Sequence, residues 1–197
     1  MTTRSDPLVV VIAGPNGAGK STLAPNILRG PFGVEEFVNA DVIARGLSGF
    51  HPERAAIAAG RLMLSRLAEL ANQQVDFAFE TTLSTRSFAP LISGWKLSGY
   101  RFALVYVWVP ASDVSVARVA TRVEEGGHDV PAETIRRRYD RSLSNLFELY
   151  LPLADFWQVM DNTEGGTTPV IARGNPESEV VFNEEVWSAL ENSYGIH

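Results

Sequence analysis

Leu8-Val9-Val10-Val11-Ile12-Ala13, followed at once by Gly14-Pro15-Asn16-Gly17-Ala18-Gly19-Lys20-Ser21-Thr22, decides how this 197-residue chain is read. The first run is short, apolar and rich in β-branched residues, as a buried strand is. The second fits the phosphate-binding loop pattern G-x-x-x-x-G-K-[ST], and Lys20 onward (KSTLAPNILR) can open a helix. Strand, loop and helix in that order are the context the motif requires. The chemistry explains the residue types. Glycines let successive backbone N–H groups turn inward around a triphosphate. The helix N-terminus adds partial positive charge. Lys20 is expected to reach the β- and γ-phosphates, and Ser21 to offer its hydroxyl to Mg²⁺. A plain glycine turn before a helix is the bland alternative. It accounts for neither the fixed residues nor the flanking pattern.

Length and composition narrow the rest. A chain of 197 residues predicts one domain, with room for a sizeable core. No apolar run approaches the length that spans a bilayer, so no membrane association is expected. The N-terminal stretch MTTRSDP is polar and lacks a signal-peptide apolar region. There are no cysteines, which excludes disulfides and thiolate metal sites. Both features suit a cytosolic protein. The formal net charge of −6 argues against a generic polyanion binder, so nucleic acid is not the favoured partner.

Outward from the loop, strands and helices alternate. Pro25 lies beyond the easy first-turn position of its helix and is expected to bend it; Gly30-Pro31 is expected to end it. Glu36 to Ala40 (EFVNA) reads as a second strand. A long helix runs from Pro52 and Glu53 to about Gln73, with Met63, Leu67, Leu70 and Ala71 at helical spacing. Val75 to Phe79 reads as a third strand. Phe88, Leu91, Ile92 and Trp95 mark the next helix, closed by Gly99. Phe102 to Val109 is the most hydrophobic run and predicts a buried central strand. Ser112 is a plausible N-cap for a helix to about Glu124. Gly126-Gly127-His128 interrupts the pattern as a hinge. Pro131 starts a helix with Ile135, Tyr139, Leu143 and Leu146 as its stripe. Phe156 to Asp161 is a fifth strand. Pro169 to Ala172 and Val180 to Phe182 read as a hairpin around Gly174-Asn175-Pro176, and Val186, Trp187 and Leu190 belong to a last helix. The whole predicts an α/β, three-layer P-loop NTPase fold: a mainly parallel five-stranded sheet, a helical lid over about residues 118–150, and a C-terminal hairpin plus helix over about 168–194.

In such folds ligands bind beyond the carboxyl ends of the strands. Those ends carry the phosphate loop, then Asn39-Ala40-Asp41, then Glu80-Thr81-Thr82, then Asp161-Asn162. Transfer of a phosphoryl group to an alcohol needs a base, Mg²⁺ and cations on the spreading charge. Asp41 is the candidate base. Glu80 is the candidate to hold a Mg²⁺-bound water or a substrate hydroxyl, and Thr82 to hydrogen-bond the acceptor. Asn162 is placed near the nucleobase by analogy with folds of this kind. Helix capping is the bland alternative for Asp41, and a cap or strand-end charge for Glu80. Asp76 reads as an edge charge or turn residue.

The arginines cluster. Arg118 and Arg122 share a helix face; Arg136, Arg137, Arg138 and Arg141 surround the next helix. Small P-loop kinases close a helix–loop–helix lid over the nucleotide, and its arginines neutralise the transferring group. Arg122, Arg138 and Arg141 are the candidates here, against the alternative of a solvated charged face. His128 reads as a loop residue or a substrate contact.

The order of these pieces resembles the zeta-toxin-like group of P-loop kinases. The resembling residues are Gly14 to Thr22, Asn39-Ala40-Asp41 and Glu80-Thr81-Thr82-Leu83. Gly126-Gly127-His128 through Arg137-Arg138-Tyr139-Asp140-Arg141-Ser142-Leu143 looks like the lid of its smaller bacterial members. The resemblance covers roughly the first three quarters of the chain, and only the phosphate loop is specific alone. It implies a kinase using ATP and Mg²⁺, with the family's base on Asp41, its substrate-binding acid on Glu80 and its threonine on Thr82. In zeta toxins the acceptor is a sugar hydroxyl of UDP-N-acetylglucosamine. This chain is more compact around that site, and the toxins' phosphate-contacting arginines do not align residue for residue onto its lid. A protein antitoxin would be a partner by resemblance, and one chain does not define it.

Two alternatives stay open beside a small-molecule acceptor. One is a polynucleotide or RNA-end kinase on the same scaffold, whose hallmark would be a basic groove with exposed aromatics. The other is a nucleotide-dependent switch without an acceptor. No guanine-selecting Asn-Lys-x-Asp motif is present, and Leu47-Ser48-Gly49 lies too near the loop to be a transporter signature.

Overall fold

The computed structural model describes residues 6–127 and 129–195; His128 falls outside them. Strand β1 (Leu8–Ala13) lies between β3 (Phe77–Thr81) and β4 (Arg101–Trp108). Strand β2 (Glu36–Val38) extends the sheet beyond β3, and β5 (Phe156–Asp161) extends it beyond β4. All these pairings are parallel. The hairpin of β6 (Val170–Gly174) and β7 (Glu179–Val181) then adds antiparallel strands at the β5 edge. The sheet is therefore seven-stranded, ordered β2-β3-β1-β4-β5-β6-β7, not five-stranded. The difference has a simple cause: an uncovered β5 edge would leave a row of backbone donors and acceptors unpaired, and the hairpin pairs them.

Alternation along the strands sorts side chains to two faces. Val9, Val11, Phe77, Phe79, Leu104 and Tyr106 share a core with Met63 and Leu67 of α3 (Ala56–Asn72), Ile92 of α4 (Phe88–Leu97) and Leu143 of α6 (Ala132–Asn145). Val10, Ile12, Ala78, Ala103 and Val105 face Ala24 and Leu28 at α1 (Lys20–Ile27). The central strand is buried on both sides: Val9 to Ala13 are each 0% exposed. Burying each such Val or Ile is worth about 1.5–3 kcal/mol. A third, smaller core of Val119, Val130 and Ile135 joins α5 (Ser112–Glu124) to α6. The segment α7 (Leu151–Leu153) leads into β5, and α8 (Glu184–Tyr194) packs Trp187 flat on Trp157.

Several local expectations are corrected. Pro25 sits inside α1 as expected, but Gly30-Pro31 does not end the helix; a π-helical turn (Leu28–Phe32) carries the chain through them to Gly33. The second strand stops at Val38, because Asn39 caps a short helix, α2 (Ala40–Leu47), absent from the sequence reading. The long helix begins with a 3₁₀ turn at Pro52–Ala55 before α3. Asp76 precedes β3, and its carboxylate accepts the Leu8 N–H at 2.7 Å, tying two strand starts together. Ser112 is the first residue of α5 and Ala111 its cap. Leu91 is exposed rather than in the α4 stripe.

Candidate active site

The phosphate loop leaves β1 at the centre of the sheet, where strand order reverses. Gly14 is required there by space: a β-carbon would lie 2.2 Å from the Val107 carbonyl oxygen, and its φ is +140°. Gly19, at φ +90°, meets a different neighbour, since a β-carbon would fall 2.3 Å from Asn162 Nδ2. That amide donates to the Ala18 carbonyl at 2.8 Å, while the Asn162 N–H donates to Trp108 O at 3.0 Å. Asn162 is buried. The structure thus puts the side chain expected near the nucleobase underneath the loop, as a brace between β5 and the phosphate cradle.

Lys20, the first residue of α1, is buried, and its ammonium donates to Pro15 O at 2.9 Å. Burial lowers its pKa below the ordinary lysine value. The nearby carboxylates of Glu80 and Asp41 oppose that shift, and the Arg122 guanidinium adds to it. The Glu80 contact is loose, at 3.9 Å. A loosely paired, desolvated cation beside an arginine is poised for the negative charge of a phosphate.

Glu80 lies inside β3, next to its last residue. The Ser21 hydroxyl donates to its carboxylate, 3.0 Å from Oε1 and 2.8 Å from Oε2. Asn39 Nδ2 donates to Oε2 at 2.8 Å. The same Asn39 accepts the N–H groups of Asp41 (2.8 Å) and Val42 (3.2 Å) through its Oδ1. One amide therefore caps α2 and grips Glu80. The capping role considered for Asp41 belongs to Asn39, which leaves the Asp41 carboxylate exposed in the first turn. Asn39 was legible only as part of the Asn-Ala-Asp triplet; Asn as an N-cap was the signal available.

The donor set suits Mg²⁺ in the way nucleotide enzymes use it. Mg²⁺ keeps several waters and takes few protein ligands besides substrate phosphates. Ser21 supplies one hydroxyl and Glu80 one adjacent carboxylate, and among the described residues no cluster of three or more His, Cys, Asp or Glu is arranged to hold a metal without substrate.

Beyond Ser21 a groove of about 950 Å³ opens, lined by Asp41, Arg45 and Phe50 on one side and by Arg122, Asp129 and Arg138 on the lid side. Of the expected arginines, Arg122 and Arg138 reach it; Arg141 is exposed on α6, outside the described lining. Arg136 pairs with Asp113 at 2.9 Å, holding α6 to the start of α5. Arg118 donates to Thr163 O at 2.7 Å, reaching the loop after β5. Thr82 bonds locally to Ser84, 2.8 Å between hydroxyl oxygens. Its neighbour Leu83 is buried at φ 54° and donated to by Asn145 at 2.7 Å, so this turn is pinned.

Known proteins share this architecture. A family model described as an AAA domain matches residues 9–145. An uncharacterized protein of Haemophilus influenzae is 29% identical over 130 residues, covering 66% of this chain and 91% of its own. The AvrRxo1-ORF1:-ORF2 structure with ATP superposes at TM-score 0.74 and 18% identity over 95% of this chain, which spans only 64% of that one. A structure of the PezAT chromosomal toxin–antitoxin system of Streptococcus pneumoniae superposes at TM-score 0.66 and 14% identity, over 98% of this chain and 87% of that one. Among the described residues, no helix is long and apolar enough to cross a membrane. With the loop, the strand-end acids and these matches in place, the chain belongs to the AAA domain family and has an α/β P-loop fold shared with the AvrRxo1-ORF1:-ORF2 and PezAT structures.

Proposed function

We propose that the protein is an ATP-dependent small-molecule kinase that transfers the γ-phosphoryl group to an acceptor hydroxyl, with a sugar nucleotide such as UDP-N-acetylglucosamine as the leading candidate. One observation carries this reading: Asn39 ties Glu80, at the Ser21 end, to the helix turn that presents Asp41 to the same groove. A carboxylate held beside the phosphate end and exposed to an open groove stands where transfer to an alcohol needs its base.

In the proposed reaction Asp41 takes the proton as the acceptor oxygen bonds to the γ-phosphorus. The bond from γ-phosphorus to the β,γ-bridging oxygen breaks, and ADP leaves. Lys20 and the loop N–H groups bind the β- and γ-phosphates. Arg122, with Arg138 and Arg141 as further lid candidates, offsets the charge on the transferring group. Ser21 and Glu80 would hold Mg²⁺, the serine through its hydroxyl and the glutamate through water; the ion would supply charge neutralisation on the phosphates. Residues 118–150 serve as the lid of a single kinase domain. Thr82, whose hydroxyl bonds to Ser84 in the turn after β3, is the further candidate to contact the acceptor, and Asn162 acts on the nucleotide through the loop.

The test is a kinase assay with ATP and Mg²⁺ against a metabolite panel headed by UDP-N-acetylglucosamine, read by mass spectrometry for one added phosphate. Phosphorylation of a small hydroxyl compound that vanishes in Lys20→Ala supports the reading. Transfer only to 5′-hydroxyl oligonucleotides, or ATP hydrolysis that no metabolite diverts, overturns it.

A further inference from the structure

The Gly126-Gly127 pair reads in sequence as a hinge, but its geometry is that of a clasp. Gly126 adopts the left-handed conformation, φ 86°, and donates its N–H to Val123 O at 2.9 Å. The Gly127 N–H reaches back to Arg122 O at 2.8 Å. These bonds close the C-terminal end of α5. The left-handed backbone explains a glycine at 126. Gly127 has no such backbone demand, and its reason is space. A β-carbon there would lie 2.6 Å from Arg122 Cγ, 3.2 Å from Cδ and 2.7 Å from the Arg122 carbonyl oxygen. The first and last are closer than real β-carbons approach, and neither neighbour is the free end of a flexible chain. The Arg122 stem lies against the bare Cα of Gly127.

Where the stem goes matters because of what it carries. Arg122 is half-buried and lines the groove together with Ser21 and Asp41. Its charge is close enough to Lys20 to add to the lowering of that lysine's pKa. Two cations from elements far apart in sequence therefore converge at the phosphate end, one held by the loop and the other by the clasp.

We infer that Gly127 is a positioning residue: by lacking a side chain it lets the Arg122 stem lie across the groove and brings the guanidinium to the transferring phosphoryl group. This rests on the phosphoryl-transfer reading above and goes beyond it by assigning the clasp. A β-carbon at 127 displaces the guanidinium, so the charge developing in the transition state loses its partner while the phosphate cradle stays intact.

The experiment uses the full chain and acceptor-free hydrolysis of labelled ATP, so it does not depend on knowing the acceptor. Gly127→Ala is expected to lower kcat by about tenfold or more, while KM for ATP moves by less than about threefold. Gly126→Ala strains the same helix end but meets no atom within 4 Å; it is expected to lower the melting temperature and keep kcat within about threefold of wild type. The decisive measurement is the cycle with Arg122→Ala: once the guanidinium is gone, adding Gly127→Ala should cost stability but no further rate. Wild-type kcat in Gly127→Ala, a loss no larger than that of Gly126→Ala, or additive losses in the double variant would each overturn the proposal alone. A wild-type chain that binds ATP, releases no phosphate and phosphorylates no compound of the panel would overturn the phosphoryl-transfer reading and this proposal with it; where it transfers phosphate only to a compound of the panel, the same cycle is read on that transfer.

Discussion

The two ends of the groove are held in opposite ways. At the phosphate end Lys20, Asn39 and Asn162 are buried and hydrogen-bonded, and Ser21 is bonded to Glu80. At the open end Asp41 and Arg45 are exposed, and Phe50 stands 96% exposed in the lining. A preorganised cradle suits a ligand whose shape never varies, because charge and donors wait in place without reorganisation. A wall of exposed side chains suits a second ligand that orders them on arrival, which costs about 0.5–1.5 kcal/mol for each side chain fixed. On the proposed reading, the phosphate end takes the donor and the open end the acceptor.

Lys20→Met tests that contrast most severely. It should reduce transfer by on the order of a thousandfold or more, since charge on the β- and γ-phosphates loses its buried partner. Its melting temperature should not fall correspondingly, because burial of Lys20 opposes its charged form. The sign follows from the lowered pKa: between that value and the ordinary 10.5 the unfolded chain binds more protons, so this residue's destabilisation shrinks as pH rises. A variant with wild-type turnover, or one that unfolds at room temperature, would break the picture of a cation held at a cost for phosphate.

Next in size is Asp41→Asn, which keeps the shape of α2 and removes the proposed base. Transfer should drop by about 10²–10⁴-fold, with ATP affinity unchanged in a calorimetric titration. Equal loss of ATP binding would place Asp41 at the donor end. Asn162→Ala should do the reverse. Losing the brace under Ala18 should weaken ATP binding by about tenfold and destabilise the fold by about 1–3 kcal/mol, with turnover of bound ATP little changed. The smallest effect concerns the frame on which both ends stand. Burial raises the Tyr106 and Tyr139 hydroxyls above their ordinary pKa of 10.0 and pushes Tyr150 up to about 12. Above pH 10 the unfolded chain ionises these groups first, so stability intact below that pH is lost as it rises. Tyr106→Phe orphans the buried Ser142 hydroxyl, a bond of 2.8 Å, and should cost about 1 kcal/mol at pH 7. Alkaline denaturation curves should show that deficit narrowing above pH 10.

The sequence was most legible where one segment determines its own state. The run Leu8–Ala13 and the loop after it carry their pattern locally, and so does Phe156–Asp161. The helix Ala40–Leu47 was hidden because it is short and because Asn39, its cap, also continues an apolar strand. The seven-stranded sheet was hidden for another reason: a hairpin looks the same in sequence whether it covers an edge or joins it. At the site, residue types announced Lys20, Ser21 and Asp41. The bond from Asn39 to Glu80 and the brace from Asn162 to Ala18 join segments 41 and 144 residues apart, and no local pattern records such a meeting.

The brace also bears on how the molecule is made. Ala18 emerges early in synthesis, and its partner Asn162 arrives 144 residues later. Closing so long a span is entropically slow, and a chain released or halted before β5 has the glycine motif without its support. On the proposed reading, full affinity for ATP is thus a property of the completed sheet. Early fragments that carry the whole motif should bind ATP at least about tenfold more weakly than the full chain, so ATP is a poor folding template for them.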